Sequence, residues 1–297
     1  MPLFFVGSVL LTFSLLRLAE SIVAGGATGF LSGLLGVGGG FIMIPLLTLM
    51  GVPIHTAVGT TLAFIACASL SALLQHIRQG SIDPTVAVIM ALPAIPAANV
   101  AARFVHILPP AILHLLFGFL LVGVFLMYHL APMPQAGAAR STTSLTPTAW
   151  YVLQRQRPGR NELIEYGLHI PKALLCGLAT GLFAGFFGSG GVFLVPLAVV
   201  VLRMPIQIIS GTALAILIPA VLVGAVTHWR LGNVDVVLWL PLVLAGIVGG
   251  QLGARYVVRL PAVLLKRLFL LLVSTGALFM LVKGFTAVYG GWPSHLP

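Results

Sequence analysis

Acidic side chains are the scarcest resource of this chain: 5 Asp and Glu stand against 15 Lys and Arg in 297 residues. Charged residues of either sign make up only 7% of the sequence, where a soluble domain carries about 25%. With 59% hydrophobic residues, too little polar surface exists to cover a water-soluble fold, so lipid has to solvate part of it. The five acids are Glu20, Asp83, Glu162, Glu165 and Asp235, and none lies mid-way along an apolar stretch. That speaks against a cation carrier of the intramembrane-carboxylate type. The two cysteines, Cys67 and Cys176, lie inside apolar segments without CxxC spacing, so they read as buried thiols. No His/Cys/Asp cluster offers a metal site, and no metal or cofactor is expected. The sequence holds no phosphate-binding G-x-x-x-x-G-K-[ST], and Phe41 stands where G-x-G-x-x-G needs its third glycine. No paired carboxylates or nucleophile–base spacing appears in the apolar spans, so an enzyme is not expected. The net charge of +10 does not signal nucleic acid, since no basic face with interleaved aromatics exists. The basic residues sit instead at segment ends, where they anchor and orient helices.

What the chain has is long apolar runs. Residues 56–77, 85–105 and 110–130, and again 210–229, 236–258 and 262–282, each extend for roughly 20 residues. That is the length a helix rising ~1.5 Å per residue needs to cross a ~30 Å hydrocarbon core. No sustained alternation of period two marks a transmembrane strand. The expected fold class is all-α, a polytopic transmembrane helical bundle. Residues 1–18 read as an N-terminal helical extension: no basic region precedes the apolar run 2–16, and no clean small-residue cleavage site follows it.

Shifted by 152 positions, the sequence lands on itself. Gly29, Gly33, Gly36, Gly38 and Gly39 meet Gly181, Gly185, Gly188, Gly190 and Gly191; Pro53, Gly59 and Thr60 meet Pro205, Gly211 and Thr212. His76, Arg78, Gly80 and Asp83 meet His228, Arg230, Gly232 and Asp235, and Arg103 and Pro109 meet Arg255 and Pro261. An ordered series of such unlike residues marks an internal repeat. The units read as 19–130 and 169–284, joined by a polar, proline- and arginine-bearing cytoplasmic linker at 131–168 and followed by a tail at 285–297.

The first segment of each unit is broken. The run 19–35 stops at Gly36-Val37-Gly38-Gly39-Gly40 and resumes as the short apolar piece 41–50; the second copy stops at Gly188-Ser189-Gly190-Gly191 and resumes at 192–202. Clustered glycine is costly inside a helix, and irregular backbone at membrane depth persists only where protein or a water-filled cavity covers it. Matching interruptions in two repeats point to a carrier's binding site. A half-helix starting there presents unpartnered N–H groups and a partial positive charge, which suits an anion. The candidate binding residues are therefore Gly36, Gly38, Gly39, Gly188, Ser189, Gly190 and Gly191, with hydroxyls from Thr60, Thr61 and Thr212. Close helix packing is the competing reading of these glycines. His76, Arg78, His228, Arg230, Asn99, Arg103, Gln251 and Arg255, at the ends of segments, are candidates for a vestibule or gate, or else anchor helices at the interface. If the broken segment turns back on itself, the copies are inverted and 11 of the 15 Lys and Arg fall on one side. Counted as full crossings the split is 9 against 6, so the positive-inside rule favours inverted repeats with re-entrant first segments.

The runs GFLSGLLGVGGGFIMIPLL, VGTTLA and QHIRQGSID, with GLFAGFFGSGGVFLVPL, SGTALA and THWRLGNVD in the second copy, resemble the TauE/SafE family of sulfite exporters, also called 4-toluene sulfonate uptake permeases. The resemblance spans roughly residues 20–130 and 170–283. It implies a secondary transporter of small anions, often sulfur oxyanions or organosulfonates, in a bacterial inner membrane. The expected partners are a small inorganic or organic anion and the lipid bilayer, with a homo-oligomer left open and no nucleic acid. A passive anion channel and a non-transporting accessory subunit remain the alternatives at this stage.

Overall fold

Among the residues described, the apolar runs form ten α-helices and one two-stranded sheet. The structure is a computed structural model that describes residues 2–35, 38–78, 82–130, 151–156, 163–202, 204, 206–256 and 262–289. The first half contains α1 (Pro2–Leu35), α2 (Gly40–Leu49), α3 (Ile54–Arg78), α4 (Pro84–Ile107) and α5 (Pro110–Leu130). The second contains α6 (Ile170–Phe187), α7 (Gly190–Val200), α8 (Ile206–Arg230), α9 (Val236–Tyr256) and α10 (Ala262–Tyr289). Six described helices are long and apolar enough to cross a membrane, and α2 is a shorter apolar one. Large apolar side chains such as Val23, Leu92, Val237 and Leu278 point outward on these helices, as lipid-facing residues do. The chain is a multi-pass integral membrane protein.

Residues 2–18 continue without interruption into the first broken segment, so the expected extension is the front of one helix, α1. Most of the expected linker at 131–168 and the end of the tail at 285–297 lie outside the described residues. Within the linker, where sequence reasoning expects coil, β1 (Tyr151–Gln156) pairs antiparallel with β2 (Leu163–Leu168), Tyr151 opposite Leu168 and Gln156 opposite Leu163.

Local chemistry explains the helix starts. Asp83 is the N-cap of α4: its Oδ1 accepts from the amides of Thr85 and Val86, and Pro84 occupies the first turn. Asp235 does the same for α9 through Val237 and Leu238. Each cap contributes about 1 kcal/mol. These two acids thus satisfy orphan helix amides.

Packing crosses between the halves. The most extensive helix pairs are α1 with α9, α4 with α6, and α5 with α10. Glycine permits the first two. A Cβ on Gly25 or Gly29 of α1 would strike the backbone of Leu242 or Gly246 of α9; on Gly177 or Gly181 of α6 it would strike Met90 or Ala94 of α4. Raising Gly25 and Gly29 by 152 gives Gly177 and Gly181, and lowering Leu242 and Gly246 by 152 gives Met90 and Ala94, so one contact is made twice with the halves exchanged. Without a hydrophobic driving force between helices in lipid, backbone-to-backbone contact of this kind is what holds them together.

Candidate functional site

Both glycine clusters interrupt a helix. In the first, α1 ends at Leu35 and α2 begins at Gly40; in the second, α6 ends at Phe187 and α7 begins at Gly190. Gly38 (φ 78) and Gly188 (φ 63) take the left-handed conformation that lets the chain turn. After each turn the short helix folds back along the long one. A Cβ on Gly39 would meet Thr28 and Ser32 of α1, and Thr28 Oγ1 sits 4.0 Å from Met43 Sδ of α2. In the second half, Phe183 of α6 stacks on Phe193 of α7 with centroids 4.2 Å apart.

The structure corrects the residue pairing at the breaks. The 152-residue shift sets Gly38 against Gly190 and Gly39 against Gly191. In space the left-handed glycines are Gly38 and Gly188, the N-caps Gly39 and Ser189, and the first helical residues Gly40 and Gly190. The local offset at the break is therefore 150. The flanking helices keep 152. Gly191 is consequently the second residue of α7, buried within it.

The two breaks meet. A Cβ on Gly40 would lie 2.8 Å from the Gly188 carbonyl oxygen and 3.0 Å from Ile65 Cδ1. Ile65, near the middle of α3, also neighbours Gly188; Leu217, near the middle of α8, neighbours Gly38 and Gly190. Neither N-cap residue makes a side-chain cap bond, so the first amides of α2 and α7 have no hydroxyl or carboxylate of their own.

The candidate hydroxyls divide into two kinds. Thr60 Oγ1 accepts from the Asp235 amide at 3.1 Å, and Thr212 Oγ1 accepts from the Asp83 amide at 2.9 Å. These two are structural ties between the halves, again related by exchange. Thr61 Oγ1 and Ser189 Oγ are buried and have no hydrogen-bond partner among the described residues. A hydroxyl orphaned in the interior costs about 1–3 kcal/mol, so two of them near the breaks are unusual. Thr61 lies one turn before Ile65 on α3, and Ser189 is flanked by the break glycines. Their counterparts, Ala213 and Gly39, carry no hydroxyl.

The candidate vestibule residues separate as well. Asn99 and Arg103 of α4 and Arg230 of α8 line one cavity of about 490 Å³, together with Val223, Val226 and Thr227 of α8. Thr227 Oγ1 donates to Asn99 Oδ1 at 3.1 Å and to the Val223 carbonyl. His228 is fully buried behind this wall. Gln251 and Arg255 lie exposed in the last turns of α9 and do not line it. Gly36 lies outside the described residues, as do the side chains of His76 and Arg78. At the opposite end of the α4–α8 seam, a crevice bordered by Val86, Met90, Leu194 and Thr212 holds only about 10 Å³, about the lower limit for one water.

Two features were not singled out from the sequence. One is Lys283 of α10, whose Nζ donates to the Thr48 carbonyl at 3.3 Å, in the last turn of α2. A cation there complements the negative end of the half-helix. The other is Asn233, whose amide nitrogen lies 3.3 Å from His106 Nδ1 and 3.5 Å from His228 Nδ1. Neither side chain recurs in the other half, so the repeat did not draw attention to it: Lys283 has Ala131 as its counterpart, and Asn233 is matched by Ser81.

Known proteins share this sequence over almost its whole length. A probable membrane transporter protein of Xylella fastidiosa (strain 9a5c) is 28% identical over 278 residues, covering 91% of this chain and 97% of the relative. The probable membrane transporter protein YdhB of Bacillus subtilis (strain 168) is 27% identical over 255 residues, covering 85% of this chain and 96% of the relative. YjnA, another probable membrane transporter protein of Bacillus subtilis (strain 168), is 26% identical over 238 residues, covering 79% and 88%. No solved structure matches significantly. The model of the family described as sulfite exporter TauE/SafE matches residues 21–280, from within α1 through both glycine breaks into α10. The chain therefore belongs to the TauE/SafE family.

Proposed function

We propose that this protein is a secondary transporter that moves small anions, of the sulfur oxyanion or sulfonate class, by alternating access across a bacterial inner membrane. The observation that carries this reading is the junction of two broken helices at Gly40 and Gly188, level with the middles of α3 and α8. Two helix N-termini converge there without side-chain caps, beside two buried hydroxyls without partners. Paired N-terminal dipoles favour negative charge, and hydroxyl donors match the multiple acceptor oxygens of a sulfonate or sulfite. The family name supplies the sulfur chemistry.

The two units are inverted in this proposal. Asp83 at the start of α4 meets Thr212 near the start of α8, and Asn99 later in α4 meets Thr227 later in α8. These helices run the same way. Consecutive spans α3 and α4 run oppositely, so α3 opposes α8, its counterpart in the other unit. With that topology, most basic residues, including those between the two units, gather on one side, which the positive-inside rule makes cytoplasmic. The cavity with Arg103 and Arg230 then opens outward, while the crevice beside Thr212 is shut. Leu217 separates the outward cavity from the breaks, and α2 and α7 are the pieces that move to connect them.

The test is reconstitution in liposomes with labelled sulfite, thiosulfate and methanesulfonate. Saturable, protein-dependent uptake that speeds up with unlabelled anion on the far side is expected. Flux without such acceleration identifies a channel, and no flux for any anion overturns the reading.

A further inference from the structure

We infer that His228 is a proton-binding site that couples to an anion held in the outward cavity; this rests on the transporter reading, in which that cavity is the anion's outer vestibule. The argument begins with placement. His228 is fully buried, yet it belongs to the stretch of α8 whose neighbours Thr227 and Arg230 line the 490 Å³ cavity. Its Nε2 has no hydrogen-bond partner among the described residues; the Gly185 backbone of α6 lies beside the ring without meeting hydrogen-bond geometry. Gly59 of α3 packs against its Cβ, and a side chain at position 59 would collide with the Asn233 carbonyl.

On the other side stands Asn233. Its side-chain amide lies between His228 Nδ1 (3.5 Å) and His106 Nδ1 (3.3 Å). A side-chain amide offers either a donor or an acceptor by rotating half a turn. It therefore serves a ring whose Nδ1 accepts and equally one whose Nδ1 carries a proton. His106, on the far side of the Asn233 amide, is exposed near the end of α4.

The charge balance sets the partner. The titratable and charged groups around His228 are His55 on α3, His106 on α4, Arg230 on its own helix, Arg103 across the cavity on α4, and Asp235 at the head of α9. The contact from α6 is backbone only. Asp235 is the one acid among these described groups, and its charge already faces the positive N-terminus of α9 through the amides of Val237 and Leu238. A buried imidazolium needs a counter-charge, and the remaining groups are basic. A monovalent anion in the cavity supplies it. The proton favours the anion and the anion favours the proton by the same factor, because binding linkage is reciprocal. One proton and one anion bind together, with no net charge added to the site.

The experiment measures methanesulfonate binding by calorimetry to detergent-solubilised full-length protein between pH 5 and pH 8. Methanesulfonate is chosen because it carries no titrating proton in that range. Proton uptake on binding is read from the buffer dependence of the heat. Wild-type protein is expected to gain up to about tenfold in affinity per pH unit of acidification, with up to about one proton taken up per anion where that dependence is steepest. His228→Gln is expected to bind with no pH dependence and no uptake. His129→Gln, on the far part of α5, is expected to behave as wild type, and size-exclusion profiles confirm folding of each variant. Equal pH dependence in wild type and His228→Gln overturns the proton site. Binding by wild type that ignores pH overturns the coupling and leaves the anion cavity standing. No binding at any pH overturns both.

Discussion

The two breaks share a shape and differ in chemistry. Each has a left-handed glycine, an uncapped N-terminus and a folded-back half-helix, and each is flanked by the mid-helix side chain of the facing unit. Yet only the second carries a hydroxyl at its N-cap, Ser189 against Gly39, while only the first half places a hydroxyl one turn from the junction, Thr61 against Ala213. A symmetric frame thus holds an asymmetric set of donors, with each half supplying one. In the proposed mechanism the shared frame would serve the alternating-access motion, and the unlike donors would serve recognition of an anion that is not itself two-fold symmetric.

The largest effect should come from the packing shared by both halves. Gly29→Leu and Gly181→Leu drive a side chain into the backbone of α9 and α4 respectively. Each should cost more than about 3 kcal/mol and remove the monodisperse peak in fluorescence-detected size exclusion. If only one of the two does so, the exchange relation between halves fails. Next, exchanging the N-caps should separate the breaks. Gly39→Ser has no room, since a Cβ there would lie 2.7 Å from Thr28 Cγ2, and should lower thermal stability. Ser189→Gly should leave stability nearly unchanged and weaken anion binding by roughly fivefold to tenfold, the worth of about 1 kcal/mol.

Thr60→Val and Thr212→Val should act as a matched pair. Each removes a hydroxyl acceptor from the amide of a helix-capping aspartate, at a cost of about 0.6–1.7 kcal/mol per interhelical bond in a membrane protein. Thermal midpoints that differ widely between the two variants would argue against equivalent ties. The smallest effect belongs to Lys283→Met, which takes the cation from the end of α2 and should lower stability by about 0.3–1 kcal/mol. Because position 131 is alanine, no comparable variant exists for the end of α7.

The sequence carried the frame of this comparison but not its details. Length and apolarity displayed the spans, and repeated glycines displayed the breaks, because both are local properties. The partners of those glycines were not legible: that Gly25 rests on α9 and Gly177 on α4 depends on which helices cross, and no periodicity records it. For the same reason Asn99, Arg103 and Arg230 could be named from their place at segment ends, while their assembly into one cavity could not. The 152-residue shift mispaired the break itself, since a two-residue difference in a glycine run leaves glycine opposite glycine and hides the slip. Thr60 and Thr212 stood out in the sequence as hydroxyls near a break; that their oxygens accept from the amides of Asp235 and Asp83 depends on contacts between the halves and could not be read there. The hairpin β1–β2 escaped notice inside a stretch whose prolines and arginines suggested coil.

The swapped partnership of α1 with α9 also has a consequence for how the protein is made. At a synthesis rate of roughly 5–20 residues per second, the glycine stripe of α1 leaves the ribosome on the order of ten seconds or more before Leu242 and Gly246 exist to receive it. Through that interval the nascent first half sits in the bilayer with its smoothest helix face turned to lipid or to a chaperone. Neither half is a finished folding unit, and maturation waits for the last third of the chain.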